Sequence, residues 1–261
     1  MAKPSSIEKV TEVIHYTASL FSFKITRPDS LRFKPGQFIM LGLEIDNKPV
    51  MRAYSIASGP YDEELEFYSI KIPEGTLTSK LQHIKVGDDI LLSKKAVGNL
   101  TPWDVKVGKR LFLMATGTGI APFASILRDP ETYDLFDNIV LTHTCRYVND
   151  LLYGKDLINK IKNSDLYSPE AAHKLIYYPT VTRESVQDEL IKYGRITDLL
   201  ESGRLFKDLG AASLDPEFDR VMLCGSNDML KDIGKILELN NMYSSSGGTL
   251  REYAYERAFV G

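Results

Sequence analysis

The sequence predicts two consecutive domains, an antiparallel β-barrel or sandwich followed by an α/β doubly wound parallel-sheet domain. Three observations predict it. The chain has 261 residues, more than one hydrophobic core usually serves. Residues 1–103 break into short β-prone runs separated by turn residues, whereas residues 104–261 repeat strand, loop and helix.

In the first part, residues 12–16, 20–25, 38–41 and 65–70 alternate, or concentrate β-branched and aromatic side chains, as strands with one face on a core do. Arg27-Pro28-Asp29-Ser30, Lys34-Pro35-Gly36 and Ser58-Gly59-Pro60 punctuate them. A helix is expected at 78–84, after which Lys85-Val86-Gly87-Asp88-Asp89 turns the chain into another strand. Beyond Leu100-Thr101-Pro102-Trp103-Asp104, strands are expected at 110–115, 138–143, 174–178 and 220–224, with helices at 121–127, 151–162 and 228–239. The boundary is placed at 103/104. Trp103, the single tryptophan, reads as an apolar plug between the domains.

Composition narrows the function classes. With 43% hydrophobic and 26% charged residues the chain reads as globular, and no apolar run approaches the roughly eighteen residues of a membrane span. The start, Met1-Ala2-Lys3-Pro4-Ser5-Ser6, lacks an apolar signal core, so the cytoplasm is expected. A net charge of -3 argues against broad nucleic-acid binding. Cys145 and Cys224 are too few for a disulfide framework or for a four-thiolate iron–sulfur cluster. His15, His83, His143 and His173 show no ligand spacing, so no metal is expected.

The chemistry-bearing residues cluster in short motifs. Arg52-Ala53-Tyr54-Ser55, if extended, sets a cation and a flat aromatic on one strand face, able to grip a phosphate and stack a ring. Gly75-Thr76-Leu77-Thr78-Ser79 places a glycine turn and hydroxyls before a helix, where free amides receive an anion. The run 111–115 followed by Thr116-Gly117-Thr118-Gly119-Ile120-Ala121-Pro122 is a strand, a glycine loop and a helix, although Pro122 stands where the third glycine of the dinucleotide fingerprint is expected. Read singly, each motif has an ordinary structural explanation: core tyrosine, solvated arginine, helix cap.

Together, and with Phe33-Lys34-Pro35-Gly36-Gln37-Phe38 ahead of them, these motifs resemble the ferredoxin–NADP reductase superfamily, specifically its bacterial ferredoxin/flavodoxin–NADP reductases, over nearly the whole chain. The resemblance implies an FAD-binding barrel at 1–103 and an NADP-binding domain at 104–261 whose tail returns to the flavin. It implies that Arg52 binds the FAD pyrophosphate, Tyr54 lies against the isoalloxazine and Ser55 approaches its N5, while Ala53, Tyr68, Thr76, Leu77, Thr78 and Thr118 line the cofactor. For NADP it implies Gly117 and Gly119 at the pyrophosphate, Arg146, Arg183 and Arg195 on the ADP half with the last two on the 2′-phosphate, Cys145 and Thr182 beside them, and Gly225 and Asp228 on the nicotinamide side. Cys145 by itself reads as structural. Cys224 is implied near the nicotinamide, and the shortened tail is implied to carry Ala258 to the flavin and Phe259 to the adenine.

The expected activity is hydride transfer between NADPH and FAD and single-electron transfer between FAD and ferredoxin or flavodoxin, by a monomer with no nucleic-acid or membrane partner. Alternatives are the reductase component of an oxygenase, a free-flavin reductase, and a non-catalytic module that binds FAD and nucleotide.

Overall fold

The computed structural model describes residues 4–164, 167 and 169–258. Strands β1 (Ser6–His15), β2 (Leu20–Thr26), β3 (Phe38–Ile45), β4 (Lys48–Ser55), β5 (Glu64–Ile70) and β6 (Asp89–Leu92) form one six-stranded sheet in the order β4-β3-β6-β1-β2-β5, with every pair antiparallel. The two end strands approach each other where Tyr54 Oη and Ser69 Oγ lie 3.4 Å apart. Phe21, Phe23, Ile39, Leu41, Leu65 and Phe67 fill the interior, because alternate residues of a strand face the same side. Helix α1 (Thr78–Leu81) is one turn long, shorter than its sequence suggests, and Leu81 anchors it in this core.

The rest of the chain supplies α2 (Ile120–Leu127), α3 (Pro130–Leu135), α4 (Leu152–Lys162), α5 (Ala171–Lys174), α6 (Ile196–Glu201), α7 (Arg204–Asp208) and α8 (Asn227–Leu239) around six strands. These are β7 (Arg110–Thr116), β8 (Asn138–Cys145), β9 (Leu175–Val181), β10 (Lys192–Tyr193), β11 (Asp219–Gly225) and β12 (Tyr253–Arg257), parallel throughout and ordered β10-β9-β8-β7-β11-β12. β7 reads as a continuous apolar run because both its faces are covered: Leu111, Leu113 and Ala115 pack on one side, Phe112 and Met114 on the other. β10 and β12 add an edge each that the hydrophobic pattern does not announce, and α3, α5, α6 and α7 are likewise too short to show a helical period.

The two domains are locked by buried contacts. On β5, Phe67 faces the barrel core while Glu66 and Tyr68 face the second domain. Arg128, which caps α2, donates from Nη1 to the Ala57 carbonyl at 2.7 Å and to Glu66 Oε2 at 2.9 Å, with both charged residues buried. Beside this pair, Tyr68 stacks on Tyr153 of α4 at 4.1 Å and 10°, and Tyr16 meets both rings edge-on at 5.9 and 5.7 Å. Trp103 is half-buried with Lys34 Nζ over its ring at 5.8 Å, so a cation from the barrel caps it and it is not the fully enclosed plug between the domains that its sequence suggests.

Candidate functional site

A cleft of about 710 Å³ lies between the domains, within the range that ligand pockets occupy. Its barrel wall comes from the end of β4, where Arg52, Ala53, Tyr54 and Ser55 line it, and from Tyr68 and Ser69 of β5. Tyr54 is held by the Ser69 contact and by an edge-on approach to Phe67 at 6.4 Å, and burial pushes its phenol pKa up. Arg52 is exposed; its Nη1 donates only to the neighbouring Met51 carbonyl, and no carboxylate pairs with it among the described residues.

Thr76, Leu77 and Thr78 continue the wall. Gly75 is needed here because a Cβ would overlap Thr78 Oγ1, whose hydroxyl donates to the Ile72 carbonyl at 3.0 Å. The amides of Thr76, Leu77 and Thr78 have no acceptor among the described residues. An unpaired guanidinium, an aromatic ring on a rigid strand and free amides after a glycine turn are the donor set that a flavin dinucleotide requires, so the residues present fit FAD.

The opposite wall is the carboxyl edge of the parallel sheet. Two loops meet there backbone to backbone: a Cβ on Gly119 would overlap the Cys224 carbonyl, and one on Gly225 would overlap Thr116 Oγ1, which accepts from the Ser226 amide at 3.0 Å. Gly117 needs no room but sits at φ 54°, the left-handed region that favours glycine. Thr118, Cys224 and Ala258 line the same cleft, and Ala258 donates its amide to the Gly225 carbonyl at 3.2 Å. Cys224 lies wholly within the fold, and burial raises its thiol pKa well above the usual value.

Farther along the same edge, Arg146 follows β8, Arg183 follows β9 and Arg195 precedes α6; all three are exposed and none is in a salt bridge among the described residues. The Arg183 amide donates to the Arg146 carbonyl at 3.0 Å, and Thr182 donates its amide to the Cys145 carbonyl at 3.1 Å, so Arg146 and Arg183 stand side by side. Asp228 is exposed in the first turn of α8.

One expectation changes and one falls outside the described residues. Cys145 does not face the surface: its thiol is buried against His143 Nε2 at 3.2 Å, burial pushes its pKa far up, and contact with a nucleotide through sulfur is closed to it. Phe259 lies outside the described residues. One residue was missed. Glu256, paired in register with Cys224, lines the cleft, and burial pushes its carboxyl pKa up to about 7. A lone glutamate in a Tyr-Glu-Arg run reads as solvated, and only the β11–β12 pairing reveals it.

Comparison with known proteins gives the arrangement its kinship. Residues 5–100 match the oxidoreductase FAD-binding domain model and residues 113–235 the oxidoreductase NAD-binding domain model. The chain is 52% identical over 255 residues to the flavodoxin/ferredoxin–NADP reductase of Rhodobacter capsulatus, covering 97% of this chain and 93% of that one. It is 47% identical over 256 residues to the ferredoxin–NADP reductase of Azotobacter vinelandii, covering 98% of each. A crystal structure of a ferredoxin NADP+ reductase from Neisseria gonorrhoeae with bound FAD and NADP superposes with a TM-score of 0.87 at 32% identity, over 97% of this chain and 98% of that chain. Two domains meeting at one cleft, the motifs that line it and identity over nearly the full length place this chain in the ferredoxin/flavodoxin–NADP reductase family.

Proposed function

We propose that the chain is an FAD-dependent ferredoxin/flavodoxin–NADP(+) reductase, moving hydride between NADPH and FAD and single electrons between FAD and a ferredoxin or flavodoxin. The observation that carries this reading is the shared cleft, which sets Tyr54 on one wall and Cys224 and Ala258 on the other. When bound, FAD supplies the ability to exchange a hydride with a nicotinamide and pass the electrons on singly.

The residues of the chain hold, orient and protonate. Arg52 and the amides at 76–78 bind the pyrophosphate, Tyr54 lies against the ring, and Ala53, Leu77, Tyr68 and Thr118 enclose the rest. Gly117 and Gly119 let the loop amides approach the NADP pyrophosphate, while Gly225, Cys224 and Asp228 border the nicotinamide. Ser55 and Glu256 are placed to exchange protons in the cleft, and a carboxyl with a pKa of about 7 both gives and takes a proton near neutrality. Arg183 and Arg195, with Arg146 and Thr182 beside them, receive the 2′-phosphate. Two charge-assisted contacts of ~1.5–3 kcal/mol each correspond to roughly 10²–10⁴-fold preference for NADPH over NADH.

The domains divide at 103/104, the carboxyl-terminal tail returns to the flavin, and the chain acts as a monomer in the cytoplasm. No helix among the described residues is long and apolar enough to cross a membrane. Anaerobic titration of the purified protein with NADPH and NADH, followed by addition of ferredoxin or flavodoxin, tests the reading. Flavin bleaching at much lower NADPH than NADH, with reoxidation by the carrier, supports it; a protein without FAD, or one that neither nucleotide reduces, rejects it. Sedimentation and cell fractionation test the oligomeric state and the compartment.

A further inference from the structure

Beneath the glycine loop lies a buried polar cluster that the proposed chemistry does not use. His143, on β8, is wholly buried. Its Nε2 lies 3.1 Å from the Gly117 carbonyl oxygen and its Nδ1 lies 3.2 Å from Tyr177 Oη. A carbonyl only accepts, so Nε2 carries the proton and donates to Gly117; Nδ1 is then bare and accepts from the Tyr177 hydroxyl. The Cys145 thiol donates to the Asp150 carbonyl at 3.6 Å and presents a sulfur lone pair to Nε2 at 3.2 Å. The donors and acceptors fit one tautomer of a neutral ring. Burial agrees, holding the His143 pKa down at about 4.

The surroundings leave the ring no alternative place. Gly154 brings α4 directly over it: a Cβ there would come within 2.7 Å of His143 Nδ1 and 2.6 Å of Tyr177 Oη. The consequence reaches the cleft through one peptide plane. In a trans peptide the carbonyl of one residue and the amide of the next point in opposite directions. The Gly117 carbonyl accepts from the Ile120 amide one turn on as well as from His143 Nε2; with it held inward by both, the Thr118 N–H points outward, and it has no acceptor among the described residues.

We propose that His143 is a positioning residue for the nucleotide pyrophosphate: as the neutral Nε2–H tautomer, held by Tyr177, it works with the Ile120 amide to fix the Gly117–Thr118 peptide so that the Thr118 amide faces the phosphate. The inference rests on the nucleotide-binding reading above. It predicts a split between ligands that do and do not carry a pyrophosphate.

The test is calorimetric titration of the FAD-loaded protein and two variants with NADP+ and with adenosine 2′-monophosphate, which keeps the 2′-phosphate but has no pyrophosphate. His143→Leu, which has no donor, is expected to weaken NADP+ by roughly tenfold while 2′-AMP changes less than about twofold. His143→Gln, whose side-chain amide can still donate to Gly117, is expected to restore most of the NADP+ affinity. Unchanged NADP+ binding in the Leu variant, equal loss of both ligands, or no rescue by Gln overturns the proposal. If the Leu variant does not fold, imidazole ¹⁵N shifts of the unmodified protein decide: a protonated Nε2 and bare Nδ1 support the assignment, and the opposite tautomer overturns it. A wild type that binds neither ligand rejects the functional reading, and the inference with it; a wild type that binds both beside an unaffected Leu variant rejects the inference alone.

Discussion

On the barrel side of the cleft much of the binding face is made by side chains, with Arg52, Tyr54 and Ser55 set in sequence on one strand and braced by Ser69 and Phe67. On the opposite side the cleft edge is largely main chain: two loops brought together by Gly119 and Gly225, a carbonyl turned inward, an amide turned outward. The first wall depends on which residues are present. The second depends on which atoms are absent and on what lies underneath. A side-chain wall tolerates backbone adjustment but not substitution of its functional groups, whereas a main-chain wall tolerates neither added atoms nor loss of its buried supports.

The largest expected effect comes from unlocking the walls from each other. Arg128→Met leaves Glu66 as an uncompensated buried charge, a loss of about 3–5 kcal/mol measurable as a lower denaturant midpoint. Replacing both partners by apolar residues, as in the Arg128→Met/Glu66→Leu pair, is expected to recover much of that loss. A double variant as unstable as the single one would show that the pair itself, rather than the stranded carboxylate, holds the junction.

Next comes the main-chain wall. Gly119→Ala drives a methyl group into the Cys224 carbonyl and is expected to slow NADPH-driven flavin reduction by roughly 100-fold, an overpacking cost of up to about 3 kcal/mol. FAD content and dithionite reduction should stay near wild type, because the barrel wall is untouched. Loss of FAD with the same substitution would erase the distinction between the walls. Smaller again, Arg183→Ala and Arg195→Ala are each expected to lower kcat/KM for NADPH by about 10–100-fold and to leave NADH unaffected, read by steady-state kinetics with both nucleotides.

The smallest effect is a change of shape with pH. Glu256 carries a carboxyl raised from 4.5 to about 7 by burial, so between those values the folded chain holds a proton that the unfolded chain has released. Its contribution to stability is therefore complete below about 4.5 and is lost as pH rises through about 7. Glu256→Gln should remove that slope from stability measured across pH, and with it an inflection near pH 7 in turnover. Persistence of both in the Gln variant would assign them to another group.

The legible parts of the molecule were those whose partners are sequence neighbours. Arg52-Ala53-Tyr54-Ser55 forms a functional face by strand geometry alone, and the glycine loop after β7 announces itself by a run buried on both sides. What stayed hidden depends on distant partners. His143 acts on Gly117, 26 residues away, and is held by Tyr177, 34 residues away; nothing local to His143 distinguishes it from a core histidine. Cys145 follows the same logic in reverse: its place beside Arg146 suggests the nucleotide, but strand alternation sends its side chain down among Leu151, Val181 and Ile191. Helix α3 carries a local sign in its Asp129-Pro130 start, but six residues are too few to show a helical period.

β12 follows every other strand of both sheets along the chain, yet it supplies Glu256 to the cleft and leads directly to Ala258. Domains generally fold as units, the amino-terminal one first, while synthesis continues. A nascent chain therefore owns a complete barrel, with Arg52 and Tyr54 in place, well before the far wall is finished. The last strand in the chain is thus the one that closes the cleft, by docking beside β11.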